Sequence, residues 1–218
     1  MDSAATPSPK PRTVGVLVFD EAEVLDFAGP FEVFSVARAP GGWPEDSPSL
    51  FRPLIIAEEA RTISARGNLL VQPHHTIDNH PPLAILVVPG GAGARRERLN
   101  SRLLDWIAAQ DQQTELTTSV CTGAFLLAQR GLLDGRRATT HWTGITWMRE
   151  QYPAITMLDD ARFVDEGHII TSAGISAGID MSLHVVARLH GDDTAVWTAR
   201  TMEYQRQIAA NPLCNLER

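Results

Sequence analysis

The chain has 218 residues, of which 44% are hydrophobic and 21% charged, a composition typical of one globular domain with a sizeable core. The formal net charge is -7 and no long basic run is present, which argues against a nucleic-acid partner. No apolar stretch reaches the length of a membrane span, so the sequence also argues against a membrane partner.

The first dozen residues are rich in Ser and Pro and lack the apolar segment of a signal peptide. We therefore expect a flexible tail over 1–12 and a single domain over 13–218. The two cysteines, Cys121 and Cys214, are far apart and match neither a disulfide nor a metal pattern. The low cysteine content favours a reducing cytoplasm as the compartment. Cys214 lies in a polar segment and is interpreted as an incidental free thiol.

Continuous apolar runs, typical of buried strands, alternate along the chain with segments whose apolar residues recur at helical spacing. Residues 13–19 predict a strand buried on both faces. Within 24–38, the apolar stripe of Phe31, Val33, Phe34 and Ala37 predicts a helix with Pro30 in its first turn. Residues 63–77 predict a hairpin or bent strand around Gly67, and 161–174 predict two strands joined at 165–167. The other predicted elements are strands at 52–57, 84–93 and 114–120, an extended segment at 136–142, and helices at 99–109, 122–129, 145–151, 176–189 and 192–208.

This alternation predicts an α/β fold with a doubly wound, mostly parallel sheet flanked by helices. Ligands of such sheets bind beyond the carboxyl ends of the strands. Four separate segments are expected to meet there: residues 20–26, the pair at 90–91, Cys121 and His141. The sequence therefore predicts one cleft built from all four.

Cys121 lies at a predicted strand-to-helix turn, the position of the nucleophile in a nucleophile elbow. A strained backbone is expected there, and a helix N-terminus would lower the pKa of the thiol. A buried structural cysteine is the alternative. Asp26 is either a first-turn helix residue or a buried proton donor with a raised pKa. His141 is either a base or only a turn residue.

Two other patterns are weak. His74, His75 and His80 surround prolines without a third-ligand pattern, so a surface loop is favoured over a metal site. The glycines of "PGGAGARR" lack the Lys-Ser/Thr ending of a phosphate loop. Their N–H groups could instead stabilise an oxyanion.

Five motifs in order carry a resemblance that covers roughly 14–204: "VLVFDEAEVLDFAGPFEVFSVA", "LLVQPHHTI", "ILVVPGG", "TTSVCTGAFLLAQRGLLDGRRATTHW" and "ITSAGISAGID". With them the chain resembles the ThiJ/PfpI superfamily, whose fold is a flavodoxin-like, class I glutamine amidotransferase-like sandwich. The resemblance implies that Cys121 is the nucleophile and that Asp26 hydrogen-bonds it. It also implies an oxyanion pocket formed by Gly91 and the amide of Thr122, and a homodimer. The aromatic helix residues Phe27, Phe31 and Phe34 further suggest an interface.

Within the superfamily, the Cys-Thr pair and the "LDFAGP" and "ATTHW" motifs are most similar to the isocyanide hydratase branch. The same set recurs in sensor domains of AraC-type regulators, which carry an additional DNA-binding domain. Because the chain stops at Arg218, that domain is not expected.

The resulting hypothesis is a cofactor-free hydration of an isocyanide to an N-substituted formamide. Cys121 would attack the isocyanide carbon to give a thioimidate, Asp26 would transfer protons and activate water, and Thr122 would orient Asp26 or the substrate. The alternatives are a glyoxalase-like or other cysteine hydrolase, in which His141 is a second acid or base, and a redox or ligand sensor.

Overall fold

A computed structural model describes residues 10–41 and 47–207. The strands are β1 (Arg12–Leu17), β2 (Phe51–Ala57), β3 (Ile63–Ser64), β4 (Leu70–Val71), β5 (His75–Thr76), β6 (Ile85–Val88), β7 (Leu116–Val120), β8 (Arg137–Ala138), β9 (Thr156–Met157), β10 (Phe163–Asp165) and β11 (Ile169–Ser172). The helices are α1 (Val24–Val36), α2 (Ala94–Glu97), α3 (Ser101–Asp111), α4 (Ala124–Gln129), α5 (Ile145–Gln151), α6 (Ala177–His190) and α7 (Asp192–Thr201).

Seven strands form the central sheet in the order β10-β11-β7-β6-β1-β2-β5. All pairs are parallel except β10 and β11, which are antiparallel. Strands β6 and β7 are buried along their whole length, because helices cover both sides of a doubly wound sheet. The predicted mostly parallel α/β architecture is confirmed, and it brings the ends of β1, β6, β7 and β11 side by side.

Helices α1, α6 and α7 pack together, and α4 packs against α2 and α3. In α1, Phe27 and Phe34 are buried in the core, and Phe31 stacks on His74 at 6.4 Å between ring centroids. The aromatic side chains of this helix are thus packed within the chain. They give no support to the interface that they suggested from the sequence.

The extended pieces around Gly67 form an antiparallel hairpin of β3 and β4. Gly67 turns the chain at φ 72°, a conformation that glycine adopts without strain. Arg66 Nη1 at the tip contacts Glu23 Oε2 at 3.1 Å, which places the hairpin beside the start of α1. Leu69 and Leu70 on this hairpin are exposed.

The last helix departs from the prediction of 192–208, because α7 ends at Thr201. The chain then turns back at Glu203, where φ is 50°, and the Tyr204 hydroxyl donates to Asp180 Oδ2 of α6 at 3.0 Å. Within residues 10–41 and 47–207, no helix is long and apolar enough to cross a membrane. Cys214 and most of the predicted tail lie outside the described residues.

Candidate active site

Cys121 lies at the carboxyl end of β7, where a single 3-10 turn, Cys121–Gly123, leads into α4. Its φ is 57°, in the left-handed region that costs a non-glycine residue about 1–2 kcal/mol. Two hydrogen bonds hold this backbone: Thr140 Oγ1 donates to the Cys121 carbonyl at 2.7 Å, and the Cys121 N–H donates to Ala173 O at 3.3 Å. The expected strain is confirmed, and neighbouring strand ends maintain it.

The helix α1 begins at Val24, one to two turns before Pro30, so Pro30 is inside the helix and not in its first turn as predicted. Asp26 lies in that first turn and is completely buried. Its carboxylate does not cap its own helix; Oδ2 accepts from the Gly90 N–H at 3.0 Å, beyond the end of β6. Oδ1 is buried without a hydrogen-bond partner in the part of the chain that the structure describes. A buried acceptor without a donor is costly in a folded protein, and the cost is greater for an ionised carboxylate than for a protonated one.

Burial raises the pKa of Asp26 to about 7, although the Gly90 N–H and the nearby Cys121 thiol both favour its ionised form. Burial also raises the pKa of the Cys121 thiol to about 12, and the negative charge of Asp26 adds to this effect. Our expectation of a lowered thiol pKa is therefore wrong in direction. Desolvation and the adjacent carboxylate outweigh the Thr122 N–H and hydroxyl, which favour the thiolate.

Gly90 and Thr122 close the site around these two groups. A Cβ at Gly90 would lie 2.4 Å from Thr122 N and 3.0 Å from Asp26 Oδ2, so only glycine fits there. Thr122 Oγ1 accepts from the Gly91 N–H at 2.9 Å and lies 3.2 Å from the Gly91 carbonyl. The Gly91 N–H, which the resemblance implied as an oxyanion donor, is thus hydrogen-bonded to the Thr122 hydroxyl. The Thr122 N–H faces the Cys121 sulfur.

Gly91 also allows two loops of the site to pack closely. Its φ is 117°, and a Cβ would lie 2.4 Å from both Glu21 O and Glu23 N. The turn after β6 therefore lies directly against the loop between β1 and α1, bridged at Ala22. This contact sets the position of Asp26 relative to Cys121.

His141 is brought to the same cleft but makes no hydrogen bond to Cys121 or Asp26 within the described residues. Its Nδ1 lies 2.8 Å from Thr143 Oγ1. Gly174, after β11, separates the two side chains: a Cβ there would lie 2.3 Å from His141 Cδ2 and 3.0 Å from Cys121 Sγ. The sequence placed Gly90 at this cleft, but neither Gly174 nor Thr140 was predicted there, although both lie in the quoted motifs.

His74 and His80 form separate hydrogen bonds with different parts of the chain. His74 Nδ1 accepts from Ile55 N at 2.9 Å, and His80 Nε2 accepts from Trp106 Nε1 at the same distance. Among residues 10–41 and 47–207, no group of three His, Cys, Asp or Glu side chains is arranged to hold a metal ion.

A doubly wound sheet with a cysteine on a left-handed elbow and a buried carboxyl beside it defines a class of α/β proteins with a nucleophile elbow. The chain belongs to the DJ-1/PfpI family, whose model matches residues 12–188.

Two relatives in sequence have different functions. Isonitrile hydratase of Pseudomonas putida is 34% identical over 194 residues, covering 88% of this chain and 78% of the relative. The HTH-type transcriptional regulator GbdR of Pseudomonas aeruginosa is 29% identical over 196 residues, covering 90% of this chain. The chain spans 52% of that regulator's length.

Solved structures agree on the fold. A ThiJ/PfpI family protein from Pseudomonas syringae superposes with a TM-score of 0.79 at 26% identity, covering 94% of this chain and 84% of that one. Drosophila melanogaster DJ-1beta gives 0.75 at 18% identity, covering 90% of this chain and all of that one.

Proposed function

We propose that this protein hydrates isocyanides to N-substituted formamides through a covalent Cys121 intermediate. The observation that carries the proposal is the pairing of Cys121, on its strained elbow, with a fully buried Asp26 whose pKa is raised to about 7. A general acid–base group is most effective when its pKa lies near the working pH. The similarity to isonitrile hydratase supports the choice of substrate.

The high thiol pKa determines how the first step runs. Cys121 is a thiol at neutral pH, so its proton must leave as the sulfur attacks. The Asp26 carboxylate takes this proton while a bond forms between Sγ and the terminal carbon of the isocyanide. Asp26 then protonates that carbon, which gives a neutral thioimidate, R–N=CH–S–Cys121.

Hydrolysis reuses the same carboxylate. Asp26 accepts one proton from water as the oxygen adds to the thioimidate carbon, and it passes this proton to the nitrogen, which becomes N–H. As the C–S bond breaks, Asp26 transfers the remaining hydroxyl proton to the sulfur, the oxygen becomes the carbonyl oxygen, and the formamide leaves. The Thr122 N–H faces the sulfur and stabilises the negative charge that develops there. The proposed reaction consumes one isocyanide and one water, and it requires neither an oxidant nor a metal.

The direct test is turnover of an alkyl isocyanide, followed by appearance of the formamide. We expect Cys121→Ala to abolish turnover and Cys214→Ala, the matched change at the other cysteine, to leave it unchanged. Turnover by Cys121→Ala at the wild-type rate would remove the covalent mechanism.

The pH profile tests the role of Asp26. Because the base is the carboxylate, kcat/KM should rise as the pH increases through about 7, where Asp26 loses its proton. No second inflection from Cys121 is expected at neutral pH, because its pKa is about 12.

A second candidate function is supported by the position of His141. Its ring and the Cys121 sulfur both lie against Gly174, so a substrate above Gly174 would contact both. Addition of the thiol to a dicarbonyl compound would then use His141 as a second acid or base. Methylglyoxal turnover that is lost in His141→Gln, without isocyanide turnover, would favour this glyoxalase-like reaction over hydration.

Two further properties accompany the proposal. We propose a homodimer, because Leu69 and Leu70 of the β3–β4 hairpin are exposed beside the start of α1, where Leu25 is also exposed. We also propose a reducing cytoplasm as the compartment, since a thiol nucleophile must stay reduced.

A further inference from the structure

A cavity of about 290 Å³ lies between α2, α4 and the turn before α5. Its lining residues are Arg95, Arg98, Phe125, Thr143, Gly144 and Trp147. A cavity of roughly 150 Å³ holds benzene, so this one has room for a substituted aromatic ring. The mechanism proposed above uses none of these side chains.

The apolar wall of the cavity is aromatic. The rings of Phe125 and Trp147 lie 4.7 Å apart between centroids. Phe125 is buried and packs directly on Gly144, where a Cβ would lie 2.9 Å from the ring. The Arg98 guanidinium lies 5.3 Å from the centre of the Trp147 ring, which orients this cation along the wall.

The two arginines have no acidic partner among the described residues. Neither Arg95 nor Arg98 forms an ion pair with any residue in the described ranges, although the whole chain has 26 acidic and 19 basic residues. The one acidic residue of α2, Glu97, bonds instead to Arg96 and Asn100. Thus two guanidinium groups that form no ion pair within the described part of the chain line one cavity.

We propose that this cavity binds a small aromatic carboxylate. Guanidinium groups match carboxylates in shape and charge, and a planar ring would cover the half-buried Trp147 side chain, which a bare inorganic anion would leave partly exposed to water. Thr143 adds a hydroxyl that lies 2.8 Å from His141 Nδ1, so an occupied cavity lies one hydrogen bond from the cleft. The carboxylate belongs either to the substrate or to a second small molecule.

Isothermal titration calorimetry with sodium benzoate tests the proposal on the full chain carrying Cys121→Ala, so the result does not depend on catalysis. We expect saturable binding that Arg98→Gln or Arg95→Gln weakens at least about tenfold, the usual loss for a charged hydrogen bond. Arg52→Gln is the matched control, because Arg52 is exposed on β2 and lies outside the cavity. Melting curves would establish that all variants are folded.

Two other ligands define what the cavity recognises. Benzamide, which has the same shape without the charge, and inorganic phosphate, which has charge without the ring, should both bind at least about tenfold more weakly than benzoate. Equal binding of either one, unchanged benzoate affinity in both arginine variants, or no saturable heat at millimolar benzoate would overturn the proposal.

The source of the carboxylate can then be distinguished by kinetics. If it is part of the substrate, benzoate should inhibit turnover of an uncharged isocyanide competitively. If it belongs to a second molecule, benzoate should alter kcat and leave KM unchanged.

Discussion

Asp26→Asn should stabilise the protein at alkaline pH while abolishing its activity. Burial raises the pKa of Asp26 from 3.8 to about 7, so the folded state holds a proton that the unfolded state releases between these values. Stability from this group is therefore complete below about pH 4 and falls as the pH rises to about 7. Asparagine keeps the acceptor for the Gly90 N–H and carries no charge.

The size of the effect follows from the pKa. At 1.36 kcal/mol per pH unit, the rise from 3.8 to about 7 makes the ionised carboxylate cost up to about 4 kcal/mol of folding free energy at pH 8. For a domain of this size, that corresponds to roughly 10 °C in melting temperature. The Cys121 thiol does not contribute, because it remains protonated throughout this range.

The assay compares thermal unfolding of the wild type and Asp26→Asn at pH 5 and pH 8. The difference between the two pH values isolates the carboxylate, because every other titrating group is shared and any packing defect of the amide is the same at both. Wild type should lose more stability than the variant on going to pH 8. Parallel losses would refute the conclusion that Asp26 is buried with a raised pKa.

Two substitutions test the arrangement of the site, and one further measurement tests the oligomeric state. Gly90→Ala should lower turnover at least about 100-fold, because its Cβ would displace the Thr122 amide and the Asp26 carboxylate; wild-type kinetics would contradict the contact. Thr140→Val should cost about 1 kcal/mol or more of unfolding free energy in urea, since the Cys121 carbonyl loses its donor; an unchanged unfolding midpoint would show that this bond does not hold the elbow. Sedimentation equilibrium at micromolar concentration should give a dimer, and a monomer would remove the proposed interface.

Much of the fold could be predicted from local patterns. The sequence shows the runs of apolar and β-branched residues that form β1, β6 and β7, and it shows glycines at the turns at 67, 131 and 167. In a parallel sheet, such strands bring their carboxyl ends together at one edge. The end of α7 was missed because Tyr204 turns back to bond with Asp180, a tertiary contact without a local signal.

The candidate site, like the fold, could be predicted only in part from the sequence. The positions of Cys121 and Asp26 follow from strand ends and motif resemblance, whereas the direction of the thiol pKa does not. The predicted helix N-terminus after Cys121 favours a thiolate. Its effect is outweighed because Cys121 and Asp26 are buried together, which depends on tertiary packing and has no local sequence signal. The bond between the Gly91 amide and Thr122 Oγ1 likewise depends on how two separate turns meet.

The central claim is that Cys121 forms a covalent bond to an isocyanide carbon and releases a formamide. Mass spectrometry of the intact protein, quenched during turnover of an alkyl isocyanide, tests it most directly. We expect an adduct on Cys121 equal in mass to the whole isocyanide, absent in Cys121→Ala, together with formamide in solution. Formamide production without any Cys121 adduct, and at an undiminished rate in Cys121→Ala, would contradict it.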